Sequence, residues 1–408
     1  MGAAVRRRAP HGGHPRAAAA LEARRRAAAR DAARRGLQAR SAGHAEPDHG
    51  RAAEGDARMK RQTIAVSVGC PSGIGPEVAV HAAANAEAEA RCVLVGDTET
   101  LRRAARDGKI AASRLRVVAS AQEIEALALG EIGVWGPSTQ LAAPAQPGAP
   151  DRKAGAAQLA WVNEALSLVQ DGTAAALVTG PVSKLAIATS GAPGAKGFSG
   201  HTEHLAARLG AREVVMAFRA ANITTALVTT HLPLAEVPAA VTPDAVATSC
   251  YWLVRLLRSL GMAAPRVAVA ALNPHAGEGG MLGIEEETSI KPGIEHANER
   301  LAADGFFAQL SGPLGAETAF RKQAAGAFDG VVAMYHDQAT IPCKLVGFGE
   351  AVNVTLGLPV IRTSVDHGTG YDIAGTGKAD PRGMESALAL ALTLAKVRGR
   401  ASLIAGTS

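Results

Sequence analysis

From Met59 onward, short β-branched runs alternate with Ala/Leu-rich amphipathic stretches. TIAVSV, CVLVG, AALVTG, TTALVTTH, RVAVAALNPH and GVVAMYH read as strands, and AAQLAWVNEALSLVQ spaces its apolar positions as a helix does. This alternation predicts an α/β fold with a mainly parallel sheet and crossover helices. In such sheets ligands gather at the carboxyl ends of strands, so the residues just after each apolar run carry the chemistry.

Three of these runs end in histidine: TTALVTT leads to His231, VAVAALNP to His275 and VVAMY to His336. A single histidine at a strand end usually serves as a satisfied hydrogen-bonding group. Three with the same setting, each flanked by Gly, Pro or an acid, point to convergence on one divalent cation. Neutral imidazole is a common ligand for such ions, and three protein ligands leave coordination positions open for substrate.

GCPSGIGPEVAV, residues 69–80, follows a strand and opens a helix, which suits backbone approach to an anion, although it lacks the last glycine of a dinucleotide fingerprint. No GxxxxGK[ST] motif is present, because GTGKA lacks the first glycine and the hydroxyl residue. Two further segments are rich in groups that hold anions and hydroxyls. FSGHTEH carries His201, Thr202 and Glu203, and the stretch from Lys344 to Arg362 carries two cations in apolar, strand-like surroundings with Asn353 between them. A phosphate or carboxylate would pair with both cations, Arg362 through its fork and Lys344 as a point charge.

Charge changes the picture only at the start of the chain. Residues 1–58 hold 13 Arg, six acids and no aromatic residue, an Ala/Arg low-complexity composition that cannot build a core. Without them, 30 basic and 31 acidic residues remain, so the net +6 of the whole chain belongs to this leader. Its Arg-rich, acid-poor character resembles a transit peptide, but the expectation is a disordered leader with translation starting at Met59, which runs straight into the first strand. The folded part has no basic and aromatic clusters for nucleic acid. Its longest apolar runs fall short of the ~18 to 20 residues that span a bilayer. Cys70, Cys92, Cys250 and Cys343 show no CxxC spacing, so a reducing cytoplasm is the expected compartment.

From about residue 63 to 395 the chain resembles the PdxA family of 4-hydroxythreonine-4-phosphate dehydrogenases, through TGPVSK, SGHTEH, TTHLPL, LNPHAGEGG, AMYHDQ, GFGEAVNVTLGLP and RTSVDHGT. The resemblance implies that His231, His275 and His336 hold a divalent cation, zinc, magnesium or cobalt, shared across the interface of a homodimer. It also implies that His201, Thr202, Lys344, Asn353 and Arg362 bind the phosphorylated substrate. DHGTGYDIAGTGKADP, residues 366–381, resembles the adenosine-binding loop of isocitrate and isopropylmalate dehydrogenases. That likeness implies a cofactor held by His367, Gly368 and Asp372, with Asp372 accepting from ribose hydroxyls and so favouring NAD over NADP. Cys70 and Glu317 depart from the family, many members of which carry an acid and an aspartate there.

The implied reaction is NAD-dependent oxidation of 4-phosphooxy-L-threonine, then decarboxylation to 3-amino-2-oxopropyl phosphate on the route to pyridoxal 5'-phosphate. Asp337 and Lys184 are the candidates for moving the hydroxyl proton. A relative acting on 4-phospho-D-erythronate or D-threonate is the nearest alternative, since it would keep the metal and phosphate sites. A hydrolase using the three histidines would have no use for the DHGTGYDIAG loop. The implied architecture is two α/β domains flanking a cleft, like isocitrate and isopropylmalate dehydrogenases: residues 59–185 with 345–408 in one, and 186–344 in the other.

Overall fold

The structure, a computed structural model, describes residues 61–398, so the expectations for the Ala/Arg leader lie outside the described residues. The β-branched runs become β1 (Gln62–Ser67), β2 (Ala90–Val95), β3 (Leu115–Val118), β4 (Ile132–Trp135), β5 (Ala176–Thr179), β6 (Val215–Ala220), β7 (Ile223–Leu227), β8 (Arg266–Ala270), β9 (Gln309–Leu314), β10 (Gly330–Ala333), β11 (Val352–Leu356) and β12 (Arg362–Val365). Ile64, Val66, Leu177, Val178, Val267, Val269, Val331 and Val332 are fully buried. Such strands are apolar on both sides because helices cover both faces of the sheet.

All twelve strands join one sheet in the order β3-β4-β2-β1-β5-β12-β11-β6-β7-β10-β8-β9. Residues 62–179 and 362–365 supply one side of it, and residues 215–333 the other. The sheet is parallel except at its centre, where β12/β11, β11/β6 and β6/β7 are antiparallel. An odd number of reversals makes the two sides run in opposite directions. Arg362 therefore sits at the amino end of β12, opposite Thr355 near the end of β11, and not at a carboxyl strand end.

The covering helices include α1 (Gly75–Asn85), α2 (Arg152–Gln170), α3 (Lys184–Ala188), α4 (His201–Leu209), α5 (His336–Val346) and α6 (Arg382–Arg398). Gly69, with φ of +80°, shows why the turn after β1 uses glycine: a Cβ there would lie 2.3 Å from Pro181 O. That close approach lets the Cys70 amide donate to Pro181 O at 2.8 Å, joining the turn after β1 to the TGPVSK turn after β5.

Candidate functional site

Hydrogen bonds beyond the strand ends bring two of the three histidines together. Val228 N donates to Ala333 O, and Thr229 donates to Met334 O through its amide (3.1 Å) and its hydroxyl (2.7 Å). The chain after β7 is thus fastened to the chain after β10, and the rings of His231 and His336 lie with centroids 5.5 Å apart. Gln338 extends the lattice: it accepts from Met334 N at 2.7 Å and donates to Ala271 O, just past β8, at 2.9 Å. His336 Nδ1 donates to Asp337 Oδ1 at 2.8 Å, which orients the ring and leaves Nε2 for a ligand. Burial first, then Lys184 and His336, hold the His231 imidazole below its ordinary pKa, in the neutral form a metal needs.

His275 does not complete a trio within this chain. Among the described residues, no three His, Cys, Asp or Glu side chains form a group that could hold a metal ion. His275 is exposed on a left-handed turn in which residues 275–279 all have positive φ, including His275 (53°), Ala276 (54°) and Glu278 (43°). Non-glycine residues in that region cost on the order of 1 to 3 kcal/mol each, so the surroundings must impose the turn. Buried Glu286 does so, accepting from the amides of Leu272 (2.9 Å) and Asn273 (2.8 Å) and from Asn273 Nδ2 (2.9 Å). The exposed His275 imidazole is thus presented on a constrained backbone segment.

The second cluster surrounds Arg362, only 3% exposed. Its guanidinium donates to Thr355 Oγ1 (2.8 Å) and Thr179 Oγ1 (2.7 Å), and Thr355 Oγ1 lies 3.3 Å from Thr202 Oγ1. Burial lowers the Arg362 pKa to about 10, and Glu203 offsets part of that. Arg362 Nε, His201 Nε2 and Asn353 Oδ1 are buried atoms without a partner. Asn353 and Thr355 share one face of β11, and register places them beside Ser364 and Arg362. Unpaired buried polar atoms are uncommon in native proteins, so Arg362 Nε and His201 Nε2, with no acceptor of the chain's own, mark this cluster as a candidate anion site.

Burial, reinforced by Arg362, His204 and Lys184, pushes the His201 pKa well below its ordinary value, so the ring is neutral near pH 7. The unfolded chain, titrating near about 6.5, takes up this proton first. Stability is therefore full above that pH and falls as pH drops from it toward the depressed folded value. Thermal melts at pH 7.5 and 5.5 are expected to show a drop in Tm that shrinks in His201→Asn. An equal drop in both proteins would remove His201 as its source.

The other expected site residues are distributed differently. Lys344 does not lie in a strand: PCKLVGF continues α5, which opens at His336, and Lys344 Nζ pairs with Asp366 Oδ2 at 3.4 Å. Lys184 opens α3, positioned by Ser183, whose hydroxyl accepts from Ala186 N and whose amide donates to Gln158 Oε1 at 2.8 Å. Lys184 acts electrostatically on both His201 and His231, so its charge is felt in both clusters. His367 is half-buried, while Gly368 and Asp372 are exposed. Their loop is tied to residues 70–77 by Ile74 N to Thr369 O (2.8 Å), Gly375 N to Glu77 Oε1 (2.7 Å) and Cys70 Sγ to Tyr371 Oη (3.4 Å). Cys70 thus joins the two loops with a thiol. Glu317 is mostly exposed and pairs with Arg321 on its own helix. Sequence reasoning missed Thr179, Thr355 and Asp366, although each lies inside a motif that it singled out.

With this geometry established, comparison with known proteins is decisive. The family described as "Pyridoxal phosphate biosynthetic protein PdxA" matches residues 88–391. The chain belongs to the PdxA family. A curated relative from Desulfosudis oleivorans, named 4-hydroxythreonine-4-phosphate dehydrogenase, is 41% identical over 350 residues, covering 83% of this chain and 98% of its own. The crystal structure of the Klebsiella pneumoniae enzyme of the same name is 34% identical, covers 82% of this chain and 99% of its own, and has a TM-score of 0.69. A terephthalate 1,2-cis-dihydrodiol dehydrogenase from Burkholderia xenovorans is 32% identical, covers 82% of this chain and 98% of its own, and has a TM-score of 0.58.

Proposed function

We propose that this protein is a 4-hydroxythreonine-4-phosphate dehydrogenase of pyridoxal 5'-phosphate biosynthesis, linked to NAD and dependent on a divalent cation. It oxidises 4-phosphooxy-L-threonine and releases CO2 and 3-amino-2-oxopropyl phosphate. The observation that carries the reading is the adjacency of the His231/His336 pair to the Arg362 cluster, through Lys184, in a chain whose curated relatives bear that name.

Arg362 and Thr202, with His201 and Asn353, hold the phosphate: Arg362 Nε and His201 Nε2 are donors that the chain leaves unspent, and Asn353 can donate through its amide nitrogen. His231 and His336 hold the cation, and His275 of a second subunit supplies the third imidazole. A cation there would lower the pKa of the reacting hydroxyl and polarise the ketone formed from it. The homodimer also accounts for the apolar side chains left exposed beside these groups: Ile341 (65%) and Leu345 (82%) on the His336 helix, and Met281 (83%) and Ile284 (60%) next to His275. Residues 59–185 with 345–408, and residues 186–344, act as the two domains flanking the cleft.

Asp337 is occupied in orienting His336, so Lys184 is the better placed group to accept the hydroxyl proton, for which it must first give up its own proton and act as the neutral amine. Lys184→Ala is expected to lower kcat by ~10² to 10⁴-fold with KM changed far less. A kcat within threefold of the parent would exclude Lys184 from that role. The compartment is cytoplasmic, in keeping with four buried, unpaired cysteines. No helix among the described residues is long and apolar enough to cross a membrane.

The deciding assay is NADH formation from 4-phosphooxy-L-threonine with a divalent metal, its loss on chelation and its return on adding metal back. Faster turnover of 4-phospho-D-erythronate would reassign the substrate. Faster reduction of NADP than of NAD would overturn the role given to Asp372.

A further inference from the structure

At the amino ends of β1, β5 and β12 lies an open groove of about 650 Å³, at the opposite end of β1 and β5 from the turns that follow them. Val169 near the end of α2, Leu209 at the end of α4, Val360 just before β12 and Ala395 near the end of α6 line it, together with Gln62, the first residue of β1. Most of the lining is aliphatic, and among the described residues there Arg208 alone carries a charge. Arg208 is exposed, and a lone exposed cation gains little from an anion in water. The complement of this groove is therefore an apolar group.

Two segments of the chain outside the described residues begin beside it. One leads into Arg61 and Gln62 and reads GDARMK over residues 55–60, with two cations close to the groove and no pair of large aliphatic side chains. The other follows α6 and reads GRASLIAGTS over residues 399–408, with Leu403 and Ile404 adjacent. Arg398, the last residue of α6, is only three positions past Ala395, a rise of about 4.5 Å. Gly399 is the residue type that lets a chain leave a helix in the left-handed conformation and turn back over the last turn. From Gly399 to Leu403 the chain can span up to about 14 Å, more than enough to return to Ala395. An aliphatic pair gains by leaving water, and so short a tether holds it at an effective concentration on the order of millimolar.

We infer that residues 401–405 of this chain seat in the groove, with Leu403 and Ile404 filling it against Val169, Leu209 and Val360. The inference does not depend on the activity proposed above.

Amide hydrogen exchange of the full chain, read at residues 169–175 and 357–361, tests it. Deleting residues 399–408 is expected to speed exchange there at least about fivefold. Leu403→Asp combined with Ile404→Asp should do the same with the chain length kept. Unchanged protection of β7 and β10 in both variants shows that the fold is intact and that the effect is local. Exchange at residues 169–175 and 357–361 equal to the parent's in both variants would overturn the inference. So would faster exchange there on deleting residues 1–58 instead, which assigns the groove to the leader. Faster exchange on diluting the parent, with none on deleting residues 399–408, would assign it to a second copy of the chain and overturn the inference too.

Discussion

Replacing His336 by alanine is expected to lower kcat by at least two orders of magnitude and to strip the protein of most of its bound divalent metal. In the proposed metal site His336 is the best-prepared residue, because Asp337 fixes its ring at 2.8 Å and Gln338 anchors the backbone before it. Removing an outer carboxylate of this kind costs ~10 to 100-fold in metal affinity, so Asp337→Asn should give a smaller loss in the same direction, and removal of the ligand itself a larger one. Stability should suffer less than activity, since the His336 side chain is 37% exposed and no core packing rests on it. Subunit mixing gives a sharper readout. The rings of His231 and His336 lie within one chain at 5.5 Å, so a cross of His231→Ala with His336→Ala should stay inactive. Crossing His275→Ala with His336→Ala should instead regain activity, because one of the two sites in a mixed dimer then holds all three ligands. Full activity of metal-free protein, or rescue by the first cross and not the second, would end this arrangement.

Arg362→Ala is expected to raise KM for the phosphorylated substrate at least tenfold and to destabilise the fold as well. The fold depends on Arg362 because the side chain is 3% exposed and is the donor to both Thr355 and Thr179. Truncation leaves two buried hydroxyls short of a donor and opens a cavity, a combination that costs about 2 to 4 kcal/mol. Arg362→Lys separates the two effects: it keeps a cation but loses the fork, so KM should remain raised while much of the stability returns. Lys344→Ala contrasts with both, since an exposed Lys344 paired with Asp366 contributes at most about 1 kcal/mol to stability. A normal KM in a folded Arg362→Lys protein would assign Arg362 to structure alone.

Local regularities were readable without a structure. The β-branched runs became strands because a continuous apolar run has only a buried sheet to enter, and the motif residues after them lie at the turns where they were expected. His231, His275 and His336 were recognisable as a set through their shared setting, but nothing in that setting told the two that meet in one chain from the third. Lys344 was misplaced because an apolar segment with a central lysine looks alike in a strand and at a helix end, and α5 runs on through Pro342. Thr179 and Thr355 escaped notice because threonine in a strand is ordinary, and nothing local says that one arginine will bridge two of them.

What the sequence by itself determined is the set of groups: which strands form, which turns need glycine, and which side chains have the chemistry to hold a cation and a phosphate. Those are consequences of nearest neighbours and of periodicity along one element. The tertiary structure alone decided which groups meet. Three antiparallel joints at the centre of the sheet reverse half of it, and the one between β11 and β12 sets Arg362 beside Thr355. Bonds from Thr229 to Met334 set two histidines 5.5 Å apart, while the turn imposed by Glu286 leaves His275 out of that pair. Such pairings depend on contacts between residues tens to hundreds of positions apart, where sequence spacing carries no distance, so only the packed sheet could bring them together.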